Sequence, residues 1–257
     1  MLHNYHTHTW RCHHASGTER EYIENAIKRG LKTLGFADHT PWRFDGEYYS
    51  GCRMRPEMIE DYVRTLTDLK AEYKNDITIR IGFETEYYPA YFDDLLELYR
   101  PYPIDYIILG QHWCGNEQGF PNNMGAAESE MDLALYTMQC LTGLHTGKFT
   151  YMAHPDAIRF TGSEETYRRH MLPFCREIKK MGIPLEFNLY GFWDRRAYPS
   201  ERFFKIAAEV GNDVILGIDA HAPDRLLDVQ TEARARQFLA NLGITPIEDV
   251  TLRDPQG

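Results

Sequence analysis

The 257-residue sequence has no disulfide framework: Cys12, Cys52, Cys114, Cys140 and Cys175 are odd in number, scattered, and form no CxxC pair. A reducing cytoplasm is the expected compartment. The chain is also short of positive charge, with 28 Lys and Arg against 38 Asp and Glu and a formal charge of −10. Nucleic-acid and anionic-membrane surfaces need a basic face, so neither is expected as a partner. No apolar run approaches the roughly 18 residues of a membrane span, and no basic stretch with an apolar core opens the chain. A soluble, unprocessed protein is expected. No Ser/Gly/Pro-rich linker, internal repeat or low-complexity tract breaks the sequence, which favours one continuous domain over residues 1–257.

What is present is ordinary globular composition, 43% hydrophobic and 26% charged, with one oddity, eleven histidines. Apolar runs alternate with segments of helical period. They predict strands near 2–8, 32–38, 77–84, 104–110, 149–154, 183–188 and 213–219. Helices are predicted near 19–30, 56–74, 91–99, 128–146, 163–180, 200–210 and 224–241. Ser163 and Ser200 read as N-caps with acidic first turns, and Gly30, Gly182 and Gly211 as turns at helix ends. Seven βα units in this length imply an α/β fold, either a parallel barrel or a doubly wound sheet. Nothing in the sequence specifies an oligomeric state.

Histidines and carboxylates recur as the last residues of these strands. Strand one ends in His6-Thr7-His8, with His13-His14 beyond; strand two ends in Asp38-His39; strands three and four run into Glu84 and His112. Strand five ends in His154-Pro155-Asp156, strand six carries Glu186 and Asn188, and strand seven ends in Asp219-Ala220-His221. Strand alternation puts both members of His6-x-His8, and of Asp219-x-His221, on one side of their strands, toward a barrel interior. Burying seven imidazoles and two carboxylates together without a cation costs several kcal/mol per uncompensated group, and a metal cluster removes that cost. The donor set suits Zn, Mn or Fe, and the lack of a thiolate pair points to an open, catalytic site. Cys12 and Cys114 remain alternative ligands. His3, His13, His145 and His170 do not join the pattern.

Two long stretches, 40–55 and 111–127, follow predicted strands and carry Trp42, Phe44, Tyr48, Tyr49, Trp113, Phe120, Asn122 and Asn123. On a barrel such loops lie on the catalytic face.

His6-Thr7-His8-Thr9 with His14, "GFADH" at 35–39, "GFETEYYP" at 82–89, "LGQHW" at 109–113, "AHPD" at 153–156 and "GIDAH" at 217–221 together resemble the PHP (polymerase and histidinol phosphatase) superfamily. The resemblance runs in order over about residues 3–223. It implies a distorted (β/α)7 TIM-like barrel with two or three divalent transition metals. His6 and His8 would hold the first with Glu84 and Asp219. Glu84 would bridge to a second held by His112 and His154, and His14, His39 and His221 would hold a third. Within the superfamily the chain resembles the metal-dependent histidinol-phosphate phosphatases of histidine biosynthesis. These are phosphoric monoester hydrolases whose arginines contact the substrate phosphate, here Arg159 and either Arg195 or Arg196. The chain departs from that pattern after Asn188, where Leu-Tyr-Gly-Phe-Trp-Asp is bulkier than the expected Thr-x-Gly-Leu, and in "GIDAH", where "GSDAH" is commoner.

The implied reaction is hydrolysis of a small phosphate ester by water activated between metals, with Glu84, Asp219 and His221 as the catalytic group. Asp156, Asp38 and a metal-held water stand as alternatives for the leaving-group acid, and orienting His39 is a competing role for Asp38. An imidazole and ammonium in the substrate would draw on Trp42, Phe44, Trp113, Tyr190, Phe192 and Trp193, with Glu86 or Glu186 facing the ammonium. Three rival readings stand beside this one: a PHP phosphoesterase acting on a nucleotide, phosphodiester or other phosphomonoester; a metal-dependent amidohydrolase; and a non-catalytic accessory module.

Overall fold

The computed structural model describes residues 1–257 apart from 120, 121 and 124, so Phe120 lies outside the described residues. Seven parallel strands form one sheet in sequential order: β1 (His3–Asn4), β2 (Thr33–His39), β3 (Thr78–Thr85), β4 (Tyr106–Leu109), β5 (Phe149–Met152), β6 (Leu185–Asn188) and β7 (Val214–Gly217). The sheet curls until its two ends nearly meet. Thr7 bridges Ala220 in parallel, and the His8 amide donates to the Ala220 carbonyl at 3.0 Å. The fold is thus a nearly closed TIM-like barrel, and not the open doubly wound sheet.

The strands read as continuous apolar runs because both faces are covered. Tyr5, Tyr106, Ile108, Tyr151 and Ile215 fill the inside of the barrel, joined by Ile247, Val250 and Leu252 from the C-terminal segment. The larger core lies between the sheet and the helices: α1 (Glu19–Arg29), α2 (Ile59–Glu72), α3 (Phe92–Tyr99), α4 (Glu130–His145), α5 (Glu164–Lys180), α6 (Leu189–Asp194), α7 (Glu201–Val210) and α8 (Val229–Asn241). In α2, Ile59, Tyr62, Val63, Leu66 and Leu69 recur at helical spacing and form its buried face.

Several boundaries follow side-chain chemistry. Thr18 and Glu21 close a capping box on α1, and Ser163 accepts from the Thr166 amide to start α5. Ser200 stands at the N-cap position of α7 but its side chain caps nothing; its amide donates to Asp156 Oδ2 at 2.6 Å. The first strand is shorter than the expected 2–8: its ladder with β2 covers only His3 and Asn4, and beyond it Thr7 bridges β2 and Ala220, its carbonyl accepting from the Ala37 amide at 2.8 Å. Helix α6 had no counterpart in the periodicity. It starts because Asn188, at the end of β6, accepts from the Gly191 amide at 2.8 Å.

Candidate metal centre

The C-terminal ends of the strands bring the expected histidines and carboxylates together, and Glu84 stands at their centre. His154 Nε2 lies 2.7 Å and His112 Nε2 3.3 Å from its Oε1; His39 Nδ1 lies 3.0 Å and His8 Nε2 3.6 Å from its Oε2. His6 Nε2 lies between Glu84 Oε1, at 3.6 Å, and Asp219 Oδ1, at 3.5 Å. Asp219 Oδ1 is also 3.0 Å from His8 Nε2 and 3.3 Å from His221 Nδ1. His14, on the more exposed side, has its ring 4.8 Å from that of His221 and 5.3 Å from that of His39.

Two glycines make this crowding possible. A Cβ on Gly110 would lie 2.0 Å from Glu84 Oε1, and one on Gly217 would lie 1.8 Å from Glu186 Oε1. Backbone strain collects at the same place: Asp219 has φ 54° and His154 φ 27°, values that non-glycine residues hold only where the surroundings impose them.

The donor set fits cations. Among the described residues, His6 Nε2, both ring nitrogens of His8, His39 Nδ1, His154 Nδ1 and Asp219 Oδ1 are buried with no hydrogen-bond partner. Such atoms are costly to bury unless something binds them. Ligand atoms lie within 4.8 Å of one another in the sets His6–Glu84–His154, His6–His8–Asp219, His8–His39–Glu84 and His14–His39–His221. Burial pushes His39 down to about 3 and His221 well below the ordinary histidine value, so both are neutral, the form that binds metal. Burial disfavours the Glu84 anion, yet the surrounding imidazoles, His112 foremost and His6 with it, hold its carboxyl well below the usual range.

Partners behind the ligands set their tautomers. His6 Nδ1 donates to Glu186 Oε1 at 2.8 Å, His112 Nδ1 to Glu86 Oε1 at 2.9 Å, and His14 Nδ1 to the Cys12 carbonyl at 2.7 Å. Asp38 accepts from the Thr9 hydroxyl, from the Thr9 amide at 3.2 Å and from the His39 backbone amide at 2.8 Å; its carboxylate stands 3.5 Å from His8 Nδ1 and does not hold the His39 ring. Alternation explains this, because adjacent residues point to opposite faces of β2. The Glu86 and Glu186 partnerships overturn their expected role toward an ammonium: both are fully buried, and Glu86 also accepts from Arg53 and Trp42. Glu84 and Glu86 stand two residues apart in "FETE", an alternation signal by which Glu86 could have been read as a neighbour of the ligands; Arg53 carried no such signal.

Other expectations separate. Asp156 is buried and raised to about 6 by desolvation, but its partner is the Ser200 amide and it does not line the central pocket; neither does Asp38. Cys12 lies within ligand distance of His8 and His221, although burial pushes its thiol up; Cys114 lies outside all these ligand sets. His3 bonds Thr33, His13 bonds Tyr49, His170 bonds Glu130, and His145 faces Glu177 at 3.6 Å.

The central pocket holds about 160 Å³, and beyond the ligands its walls are Cys52, Trp113, Asn122, Tyr190, Arg196 and Tyr198. A second pocket of about 520 Å³ shares Arg196 and Tyr198 with it and adds Arg159 and Arg195. Arg196 donates to the Tyr198 and Tyr190 hydroxyls at 3.1 Å and lies 4.4 Å over the Tyr190 ring. Of the aromatic pool, Trp113 and Tyr190 face the pocket, whereas Trp42 packs on Tyr88 at 4.9 Å, Phe44 packs on Tyr91, and Phe192 packs on Phe187. Trp193 lies under Arg225.

Residues 4–189 match the model of the PHP domain family. The chain is 31% identical over 229 residues to the "Probable histidinol-phosphatase" of Deinococcus radiodurans, covering 85% of each chain. It is 28% identical over 275 residues to the protein of the same name from Schizosaccharomyces pombe, covering 94% of this chain and 87% of that one. A histidinol phosphate phosphatase from Lactococcus lactis, solved with zinc, L-histidinol and phosphate, shares the fold with a TM-score of 0.72 at 20% identity, covering 96% of this chain and 95% of that one.

Proposed function

The chain belongs to the PHP domain family, and from that premise we propose that it is a metal-dependent phosphatase hydrolysing L-histidinol phosphate to L-histidinol and phosphate. The observation that carries this is the convergence of five imidazoles on Glu84, with the facing nitrogens of His6, His8 and His39 buried and without a hydrogen-bond partner. His6, His8, Glu84 and Asp219 would hold one ion, Glu84 with His112 and His154 a second, and His14, His39 and His221 a third. Zinc, manganese or iron bound there supplies Lewis acidity, which lowers the pKa of water and offsets phosphate charge.

The protein's own groups position the ester. Arg196 reaches the central pocket and offers planar paired donors to nonbridging phosphate oxygens, so it is preferred over Arg195. Arg159 and Arg195 keep the adjoining pocket positive. Tyr190 and Trp113 line the pocket beside the substrate imidazole and ammonium, and with Glu86 and Glu186 committed elsewhere, aromatic contact replaces a carboxylate. Glu84, Asp219 and His221 adjoin the reacting phosphate. Residues 1–257 act as one domain, and the five free cysteines accord with a reducing cytoplasm.

A substrate panel tests the reading. The highest kcat/KM is expected on histidinol phosphate; preference for nucleoside monophosphates or bis(p-nitrophenyl) phosphate instead would move the chain to another phosphoesterase of the family.

A further inference from the structure

Arg53, in the loop between β2 and α2, is 1% exposed and yet lies outside the lining of the central pocket. Its guanidinium donates to Glu86 Oε1 at 2.9 Å and Oε2 at 3.1 Å, and to the Thr40 carbonyl at 3.1 Å. It also donates to Glu117 Oε2, at 2.5 Å from Nη2 and 3.2 Å from Nε, and its centre lies 5.7 Å from the Trp113 ring. Three chain segments meet on this one side chain: the loop after β2, the end of β3 and the loop after β4.

Glu86 is the consequential partner. Its Oε1 accepts from Arg53 and from His112 Nδ1, and its Oε2 from Arg53 and from Trp42 Nε1 at 3.0 Å. A fully buried carboxylate needs a cation beside it, and Arg53 is that cation. With Nδ1–H committed to Glu86, His112 directs Nε2 at Glu84 Oε1, 3.3 Å away. The arrangement is specific to this ligand candidate. Glu186, behind His6, is held by the His154 amide and Asn188 Nδ2, and His14 leans on a carbonyl.

We propose that Arg53 is a positioning residue for metal binding by His112. It holds Glu86 in the one orientation that fixes the His112 ring and tautomer, and through Glu117 and Thr40 it locks the two long loops to the same point. The inference rests on the metal-dependent reading above. A lysine cannot replace it, because a single ammonium cannot bracket two carboxylates and a carbonyl in a planar fork.

The test uses the full-length protein as Arg53→Met, Arg53→Lys, Glu86→Gln and the Arg53→Met/Glu86→Gln pair. Zinc retention is followed in graded chelator competition, alongside thermal melting and kcat and KM on histidinol phosphate. In Arg53→Met one zinc equivalent is expected to bind about 10- to 100-fold more weakly while the others are unchanged. kcat should fall with KM held within about twofold, and Glu86→Gln should add little to Arg53→Met, since both act through one contact. Arg53→Lys should show the same loss to a smaller degree, and it carries the test if the methionine variant does not fold. Wild-type zinc affinity in a folded Arg53 variant, or losses that add in the double variant, would overturn the proposal. The zinc measurement stands apart from the substrate: a wild-type protein that binds zinc but spares histidinol phosphate overturns the functional reading and leaves Arg53 to be judged by metal affinity.

Discussion

Single atoms decide how the site is built. Gly110 has no room for a methyl group beside Glu84, so Gly110→Ala must displace the carboxylate on which five imidazoles converge. A stability loss of about 1–3 kcal/mol is expected from the overpacking, together with loss of bound metal and of most activity. Gly51, with nothing within 4 Å of its Cβ position and no left-handed backbone, is the matched control, and Gly51→Ala should melt and turn over like wild type. Arg196 and Arg195 are neighbours in sequence but differ in reach, since only Arg196 lines the central pocket. Losing charge-assisted hydrogen bonds of roughly 1.5–3 kcal/mol, Arg196→Ala should lower kcat/KM about 10- to 100-fold, chiefly through KM. Arg195→Ala should have a distinctly smaller effect, and steady-state kinetics on the two variants reads the difference.

Among the elements, those with strong period were legible in sequence and those set by one side chain were not. The buried strands β4 and β7 and the amphipathic α2 announce themselves by composition and spacing. The short α6 depends on Asn188 turning to cap Gly191, a local event with no periodic signature, and it is this turn that presents Tyr190 to the pocket. Helices α1 and α8 are joined by a charge cluster. Glu232 accepts from the Met1 amino group at 2.6 Å, from Arg236 at 2.8 Å and from Arg29. Burial alone would raise the Glu232 carboxyl, but these cations outweigh it and hold the group at about 2, below its ordinary 4.5. A carboxyl lowered on folding contributes stability that is complete above about 4.5 and is lost as pH falls toward about 2. Glu232→Gln should therefore lower the urea midpoint at pH 6, and the gap from wild type should narrow steadily between pH 4.5 and pH 2.

Over the whole molecule, parallel order and strand-end placement turn residues spread from His6 to His221 into one cluster at one end of a barrel. That much was legible because strand alternation and the C-terminal face rule act on any βα repeat. The supporting layer was less so: Arg53, Glu117 and Tyr198 come from loops whose paths depend on tertiary contacts, and strand period says nothing of them. The net charge of −10 also acquires a location. In the proposed assignment only Glu84 and Asp219 among the carboxylates would ligate metals, so a loaded centre would be positive and suited to a phosphate dianion while the acidity lies mainly elsewhere. The most direct measurement is metal content and steady-state kinetics on histidinol phosphate from the same sample, before and after chelation and metal restoration. The expected result is two to three equivalents of transition metal, activity lost with the metal, and activity regained on its return. Full activity in folded, metal-free protein would contradict it, as would a fully loaded protein that leaves histidinol phosphate intact.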